Sequence, residues 1–499
     1  MSSTYQVHST RARMTSWATV GILVFPWINP LAMGPAYSVI SIIGALLAGA
    51  LLLLVWQENR PQDMATAWLL AALLSVLIGL CQYFRVEQSF QPWMSLSAQG
   101  DAFANLRQRN QFATLTNIGM VTVLWWLTVH PLTSYRNWKW AGLCLAAIVL
   151  AVGNAASASR TGLVQLLVVA GFALYGRRKL QHGQLPVLLL ALVIYAVAAI
   201  MLPRLAGYAP GGNNSIISRF QDTSLMCTSR LTLWRNMLDL ISQRPLLGWG
   251  WGELGYAHFM TTYEGQRFCE LLDNAHNLPL HLAVEFGLPL ALLLCGAVMG
   301  WVWRFRPWRE PNPTRQLAWG VLLLIGLHSL LEYPLWYGPF QLAVALCLVL
   351  LLSRSQTEAG LSVFGFSRLR PWVATVLLGV VAYVAWDYYR ISQIYLPVEQ
   401  RSSIYREHTL EIIRGSWLFR NQVRFADFTL MTLTRDNAAE IYAMGHELLH
   451  FSPEPRVVEK LIESAILLGR DNEARFFMTR YRAAYPQAYE RWQKEGRGK

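Results

Sequence analysis

The sequence predicts an all-α, polytopic membrane helix bundle, and three observations carry that expectation. Only 14% of the 499 residues are charged and 54% are hydrophobic, whereas soluble domains carry about 25% charged residues. Eleven apolar runs, at 17–34, 37–56, 64–83, 111–130, 138–155, 161–176, 186–203, 286–303, 316–333, 336–353 and 371–389, lie near the roughly 20 residues a helix needs to cross hydrocarbon. Lys and Arg concentrate in alternate connections between those runs.

That alternation sets an orientation. With the N-terminus inside, the inside segments hold Arg11, Arg13, Arg60, Arg136, Lys139, Arg177, Arg178, Lys179, Arg304, Arg306, Arg309, Arg315, Arg354, Arg368 and Arg370, fifteen in all. The short outside loops hold four, Arg85, Arg107, Arg109 and Arg160. Basic residues retained on the cytoplasmic side explain the bias, and long translocated loops such as 204–275 do not count towards it. The expected placement is a bacterial inner membrane, with the N-terminus cytoplasmic and the C-terminal tail periplasmic. The formal net charge of +13 is then largely a topology signal, and a nucleic-acid partner is not expected. Twenty-one Trp and twenty Tyr suit belts at the two interfaces. Met1 to Ser16 is polar and no small-residue cleavage site follows, so no cleavable signal is expected.

In chain order the expected organisation is an N-terminal transmembrane bundle over 1–203, a large periplasmic loop over 204–285, further spans over 286–389 and a helical tail over 390–499. An earlier outside loop, 84–110, ends in Arg107-Gln108-Arg109-Asn110-Gln111. Within the large loop, Leu231, Trp234, Met237, Leu238 and Ile241 fall on one face at helical spacing. Ser229 can cap that helix and Pro245 stops it. A Gly/Trp stretch follows, Leu247-Gly248-Trp249-Gly250-Trp251-Gly252, whose glycines suit tight turns and whose indoles suit either an interface anchor or a sugar-stacking surface. In the tail, Val457, Leu461, Ala465, Ile466 and Leu468 line one helix, Gly469-Arg470-Asp471-Asn472 breaks it, and Glu473 to Tyr485 forms the next. This helix-turn-helix resembles one tetratricopeptide-like repeat, or simply a short helical cap.

Of six cysteines, Cys81, Cys144, Cys295 and Cys347 lie in spans or at their ends and are expected to be packing residues. Cys227 and Cys269 are the pair in the large outside loop. An oxidising compartment favours a disulfide between them; the alternative is two buried thiols.

Polar groups collect at outside span ends: Arg109, Asn110, Arg160, Arg219, Arg230, His276, Asn277, His328 and Glu332. Such groups are costly in hydrocarbon and mark a wet cavity or a site. An arginine at a span entrance can simply snorkel to headgroups. Several of them, against the basic-inside trend, point to an anion, which guanidinium binds bidentately. His276, in Asp273-Asn274-Ala275-His276-Asn277, can accept a proton at neutral pH. Asp273 or Asn274 could equally be helix caps. Glu285 closes the same stretch in Glu285-Phe286-Gly287, and Glu332 could pair with an arginine and only fix the bundle. No HExxH, paired-Cys, Walker or nucleophile-elbow pattern occurs, so neither a metal site nor a cofactor is expected.

Taken in order, Arg107-Gln108-Arg109-Asn110-Gln111-Phe112-Ala113, Ser159-Arg160-Thr161, Ser229-Arg230-Leu231 with Trp234, Pro245-Leu246-Leu247-Gly248-Trp249-Gly250, Asn274-Ala275-His276-Asn277 with Glu285-Phe286-Gly287, and His328 to Trp336 resemble the O-antigen ligase/polymerase superfamily. Within it the chain resembles the PglL-type bacterial protein O-oligosaccharyltransferases. The resemblance implies a GT-C-like, multi-spanning glycosyltransferase that takes a glycan from undecaprenyl pyrophosphate and delivers it to Ser or Thr of periplasmic or secreted proteins, often pilin. It maps the family histidine to His276 and the family arginines to Arg160 and Arg230, with Arg109 matching the arginine of the Gln-Arg-Asn motif. The expected chemistry is a metal-independent, inverting displacement. His276 serves as general base and the arginines hold the pyrophosphate, with Asn110, Asn277, Glu285, His328 and Glu332 in support. An O-antigen ligase acting on lipid A-core and, from another class, a transporter of lipid-linked glycans are the rival readings. The expected partners are the lipid-linked donor, an acceptor protein and membrane lipids.

Overall fold

A computed structural model of the chain describes residues 2–31, 34–55, 61–97, 100–130, 138–175, 184–208, 216, 226–352 and 364–496. Several residues invoked above lie outside that set: Arg219, and the basic residues Arg60, Arg136, Arg177, Arg178, Lys179 and Arg354. Among the described residues all regular structure is helical.

The helices are α1 Ser2–Ile28, α2 Tyr37–Val55, α3 Pro61–Tyr83, α4 Arg109–Val129, α5 Trp138–Ala156, α6 Arg160–Tyr175 and α7 Gln184–Leu205. Then come α8 Arg230–Gln243, α9 Leu254–Met260, α10 Leu278–Phe286, α11 Leu288–Phe305, α12 Pro313–Ser329, α13 Gly338–Leu352 and α14 Phe364–Ser392. The tail supplies α15 Thr409–Ile413, α16 Arg420–Leu430, α17 Ala438–Phe451, α18 Pro455–Leu467, α19 Asp471–Ala484 and α20 Pro486–Gly496. Among the described residues each of the eleven expected spans overlaps a helix, and 286–303 takes in the last residue of α10 and most of α11. Seven helical stretches are both long and apolar enough to cross a membrane, and Met14–Ile28, Arg160–Leu174 and Gly338–Leu352 are shorter apolar helices.

The chain divides into two compact units. The first comprises 1–32, 36–222 and 306–383; the second comprises 33–35, 223–305 and 384–499.

The centre of the first unit is α4, which packs against α3, α5, α6 and α12. Phe112, Ala113, Leu115, Ile118 and Val123 are completely enclosed. Small residues permit the close approach, as is common where helices associate in lipid. A Cβ on Gly119 would sit 2.8 Å from Ala72 Cβ, and one on Gly162 would sit 2.5 Å from Ala113 Cβ. The loop before α4 is pinned by two buried amides. Gln82 donates to the carbonyls of Ser95 (2.8 Å) and Ala104 (3.0 Å) and accepts from the amides of Phe103 and Ala104. Asn105 accepts the Ser95 amide at 2.9 Å and donates to the carbonyl of Ile28 at 2.8 Å.

The second unit has two cores. In one, Leu233, Met237, Leu240 and Ile241 of α8 meet Leu254 and Ala257 of α9, Phe268 and Leu272, and Ala283 and Val284 of α10. This corrects the expected face of α8, because Leu231 and Leu238 are exposed. The amphipathic helix forms with its cap, Ser229 Oγ accepting the Thr232 amide at 3.1 Å, but its apolar stripe is rotated. In the other core, Phe428, Ile441, Leu448, Val457, Leu461, Ile462, Phe477 and Tyr481 of the tail enclose Phe259 of α9. His450 Nδ1 and Glu253 lie 2.7 Å apart, and the His450 ring stacks on Tyr256 with centroids 3.9 Å apart. The tail is thus several packed helices, α16 to α20. Ile466, placed on the apolar side of α18 by its spacing, is instead exposed.

Cys227 and Cys269 form a disulfide with their Cα atoms 5.5 Å apart, across 42 residues of sequence. Cys144 and Cys347 are buried free thiols, and Cys81 and Cys295 are partly buried. On the chain-entropy relation, opening a loop of that length costs about 4 kcal/mol. Cys227→Ser or Cys269→Ser should therefore lower the melting temperature of the detergent-solubilised protein. Added reductant should reproduce that shift in the wild type and leave the variants unmoved.

Candidate functional site

Three arginines singled out in the sequence occupy the same local position. Arg109, Arg160 and Arg230 are each the first residue of a helix, α4, α6 and α8. In each case the preceding side chain caps that helix. Gln108 Oε1 accepts the Gln111 amide at 2.7 Å, Ser159 Oγ accepts the Gly162 amide at 2.9 Å, and Ser229 Oγ accepts the Thr232 amide at 3.1 Å. His276 stands immediately before a fourth start of this kind, where Asn277 Oδ1 accepts the Leu280 amide at 3.0 Å.

The electrostatics of these positions oppose the placement. A helix start carries about half a positive charge, and a cation there is disfavoured by about 0.3–1 kcal/mol. A cap contributes about 1 kcal/mol, so cap and cation roughly cancel. Arginine in the first turn does not serve helix stability. Guanidinium beside the N–H groups of a helix start is an arrangement that suits an anion.

In the first unit two of these starts are tied together. Ser159 Oγ–H donates to Asn110 Oδ1 at 2.6 Å, joining the first turn of α4 to the cap of α6. Ser157 Oγ accepts the Ser159 amide at 3.1 Å, and Ala158 between them takes a left-handed backbone (φ 49°). Behind the tie, Thr114 Oγ1 lies 2.9 Å from Nδ1 of the fully buried His328 on α12 and 3.1 Å from Gln165 Oε1 on α6. Asn117 donates to the Gly162 carbonyl (2.9 Å), and Gln165 Nε2 donates to the Leu324 carbonyl (2.8 Å). The ladder ties three helices, α4, α6 and α12, together behind the two arginine-bearing starts. Thr114 and Gln165 are unremarkable in the sequence, since lone polar residues in a span carry no motif.

Arg109 forms an ion pair with Asp101, which orients its guanidinium. Arg107 is spent on structure. Its guanidinium donates to the Pro30 carbonyl at 3.2 Å and lies 4.8 Å from the centre of the Tyr37 ring, and burial lowers its pKa. Arg160 is exposed. Glu332 is buried and its amide bonds the His328 carbonyl at 2.8 Å.

In the second unit His276 has φ 50°, a left-handed backbone that a non-glycine residue adopts at a cost. Buried Asn274 holds it there, its Oδ1 accepting the His276 amide at 2.7 Å. Asn274 is therefore a brace, and the cap belongs to Asn277. Glu285 is buried; its Oε1 accepts the Gly252 amide at 2.9 Å and its Oε2 lies 3.6 Å from His281 Nε2. His281, one turn before Glu285, had no role in the sequence reading. Trp249 is committed to packing, with its indole donating to the Leu240 carbonyl at 3.0 Å and its ring 4.2 Å from the Arg244 guanidinium.

Comparison with known proteins covers the same segments. Residues 102–127 match a family described as protein glycosylation ligase, and residues 145–295 match one described as O-antigen ligase. Residues 316–497 match the C-terminal part of a virulence factor membrane-bound polymerase. Two Acinetobacter baylyi proteins are similar. One, named general O-oligosaccharyltransferase, is 26% identical over 386 residues; the other, named ComP-specific O-oligosaccharyltransferase, is 24% identical over 366. These matches make the chain similar, segment by segment, to the PglL-type branch of the O-antigen ligase/polymerase superfamily. Each alignment takes in 73% of this chain but 66% and 62% of the relatives, less than two thirds of either. The Arg109 start lies in the segment that matches the protein glycosylation ligase family, and the Arg160, Arg230 and His276 starts lie in the segment that matches the O-antigen ligase family.

The tie between the two starts is testable by a double-mutant cycle. Ser159→Ala removes a cap and should cost about 1–2 kcal/mol. Asn110→Ala should cost less, and the double variant should fall short of the sum, because both changes break one bond. Thermal melts of the purified protein supply the four values.

Proposed function

We propose that this protein transfers a glycan from undecaprenyl pyrophosphate to Ser or Thr side chains of periplasmic or secreted proteins, pilin among them. The reaction takes place at the periplasmic face of the bacterial inner membrane, with the N-terminus cytoplasmic. The observation that carries the reading is the repeated helix start: a side-chain cap followed by arginine at Arg109, Arg160 and Arg230. A pyrophosphate leaving group develops negative charge, and fixed cations with oriented N–H groups stabilise that charge as it forms. The kinship with proteins named for O-oligosaccharyltransfer supports the same chemistry.

In the proposed step the acceptor hydroxyl oxygen attacks the anomeric carbon as the bond from that carbon to the pyrophosphate oxygen breaks. His276 takes the hydroxyl proton as general base. Arg160 and Arg230, aided by Arg109, hold the departing lipid pyrophosphate. In-line attack inverts the anomeric configuration, and the arginines supply the electrostatic work without a metal ion. Asn274 and Asn277 set the backbone of His276, while Asn110 and His328 position the two starts in the first unit. Glu285 braces the Gly/Trp loop.

The match of 145–295 to the O-antigen ligase family favours, as a second reading, transfer to lipid A-core sugar. The product distinguishes the two. Cells carrying the gene should yield secreted protein heavier by one glycan, seen by intact-mass analysis. A ligase would instead lengthen lipopolysaccharide and leave protein masses unchanged.

Arg160→Ala, Arg230→Ala and His276→Ala, at normal membrane levels, should each reduce transfer to an acceptor by about 100-fold to 1,000-fold, the range for loss of one preorganised transition-state contact. Near wild-type transfer by Arg230→Ala and His276→Ala would reject the mechanism. Arg160→Lys should recover only part of the activity, because ammonium cannot bind phosphate in a fork.

A further inference from the structure

The loop from Pro245 to Gly252 presents apolar side chains to its surroundings at a defined place. Leu246, Leu247 and Trp251 are 71%, 86% and 79% exposed. Between them Gly248 is buried and Trp249 is half-buried, so the three exposed apolar side chains flank an inward-facing turn.

The loop cannot swing away from the helices beneath it. The Trp249 amide donates to the Val284 carbonyl (2.8 Å), and the Gly250 amide donates to the Glu285 carbonyl (2.9 Å). The Leu288 amide donates to the Pro245 carbonyl (2.8 Å), and Glu285 Oε1 takes the Gly252 amide (2.9 Å). A Cβ at Gly248 (φ +70°) would lie 2.5 Å from the Glu285 carbonyl carbon, so only glycine permits this approach.

Leu288 is the first residue of α11. That helix is apolar, Ala291 is its sole buried residue, and it belongs to a stretch long enough to cross a membrane. Leu292, Leu293, Val298 and Met299 along it are exposed, as residues facing lipid are. The loop tip is therefore bonded to the point where a span begins.

We infer that Leu246, Leu247 and Trp251 enter the headgroup–acyl boundary of the bilayer at the start of α11 and hold the adjoining α10 segment at a fixed depth. Two adjacent leucines have no stacking face, so a sugar does not account for the tip. Trp251, packed 5.6 Å from Phe286, has the amphipathic ring that favours the interface. Arg244, exposed at the entry to the loop and braced on Trp249, is a cation at headgroup level. Because Asn277 caps α10 directly after His276, the anchored loop also sets the height of that histidine. The docking itself does not rest on the proposed glycan transfer.

The test uses the full chain with its native cysteines, reconstituted in vesicles of phosphatidylethanolamine and phosphatidylglycerol. A photoreactive benzoylphenylalanine replaces Leu246, Leu247 or Trp251 in turn. Leu293 on α11 serves as the lipid-facing control and Glu473 on α19 as a tail control. After illumination, intact-mass analysis should show phospholipid adducts at the three loop positions comparable to those at Leu293, and few at Glu473. Adducts at Leu293 but not at the loop positions would overturn the inference. So would cross-links from the loop to a second copy of the chain in place of lipid. Neither readout requires transfer activity, so this result stands apart from the fate of the enzymatic reading.

Discussion

The first turn of a helix sets the constraint that governs the rest of this structure. Four backbone N–H groups there lack partners within the helix. In this chain a side chain takes one of them at each of α4, α6, α8 and α10, and the residue beside each cap is Arg109, Arg160, Arg230 or His276. The cap offsets the penalty of a nearby cation, so the fold tolerates an arginine where stability alone would select an acid. The same device appears in both compact units.

A second constraint acts in the first unit. Polar groups on apolar helices must find partners within the protein. The chain meets this by concentrating them, so that Asn110, Thr114 and Asn117 share one side of α4 and meet Ser159, Gln165 and His328. This grouping makes the polar cluster a rigid mount for the helix starts above it. Gly162 matters for the same reason, since a Cβ there would meet Asn154 Oδ1 at 2.4 Å and push α6 away from its partners. In the second unit Asn274 and Glu285 do comparable work, one on the backbone of His276 and the other on the glycine-rich loop.

Much of this was legible in the sequence, for identifiable reasons. Apolar runs separated by charged connections gave every long helix, because membrane length and hydropathy are one-dimensional properties. Ser229 and Pro245 bracketed α8 correctly, because cap and stop signals are local. The rotation of α8, with Leu231 and Leu238 outward, was not legible. Three apolar residues in four leave the stripe ambiguous by a fraction of a turn, and only the positions of α9 and α10 decide it. Trp249 and Trp251 looked equivalent until Leu240 and Arg244 claimed the first. The motif arginines could be named from their order along the chain. Their shared helix-start geometry could not, since Gln108 is an uncommon cap.

The most direct test of the central claim is binding, ahead of any turnover. Native mass spectrometry of the purified protein with a polyprenyl pyrophosphate would count bound lipid on the wild type and on Arg160→Gln and Arg230→Gln. The account predicts a bound pyrophosphate lipid on the wild type, weaker binding of the corresponding monophosphate, and a marked loss on both variants with their folds intact. Equal binding by all three proteins would contradict it.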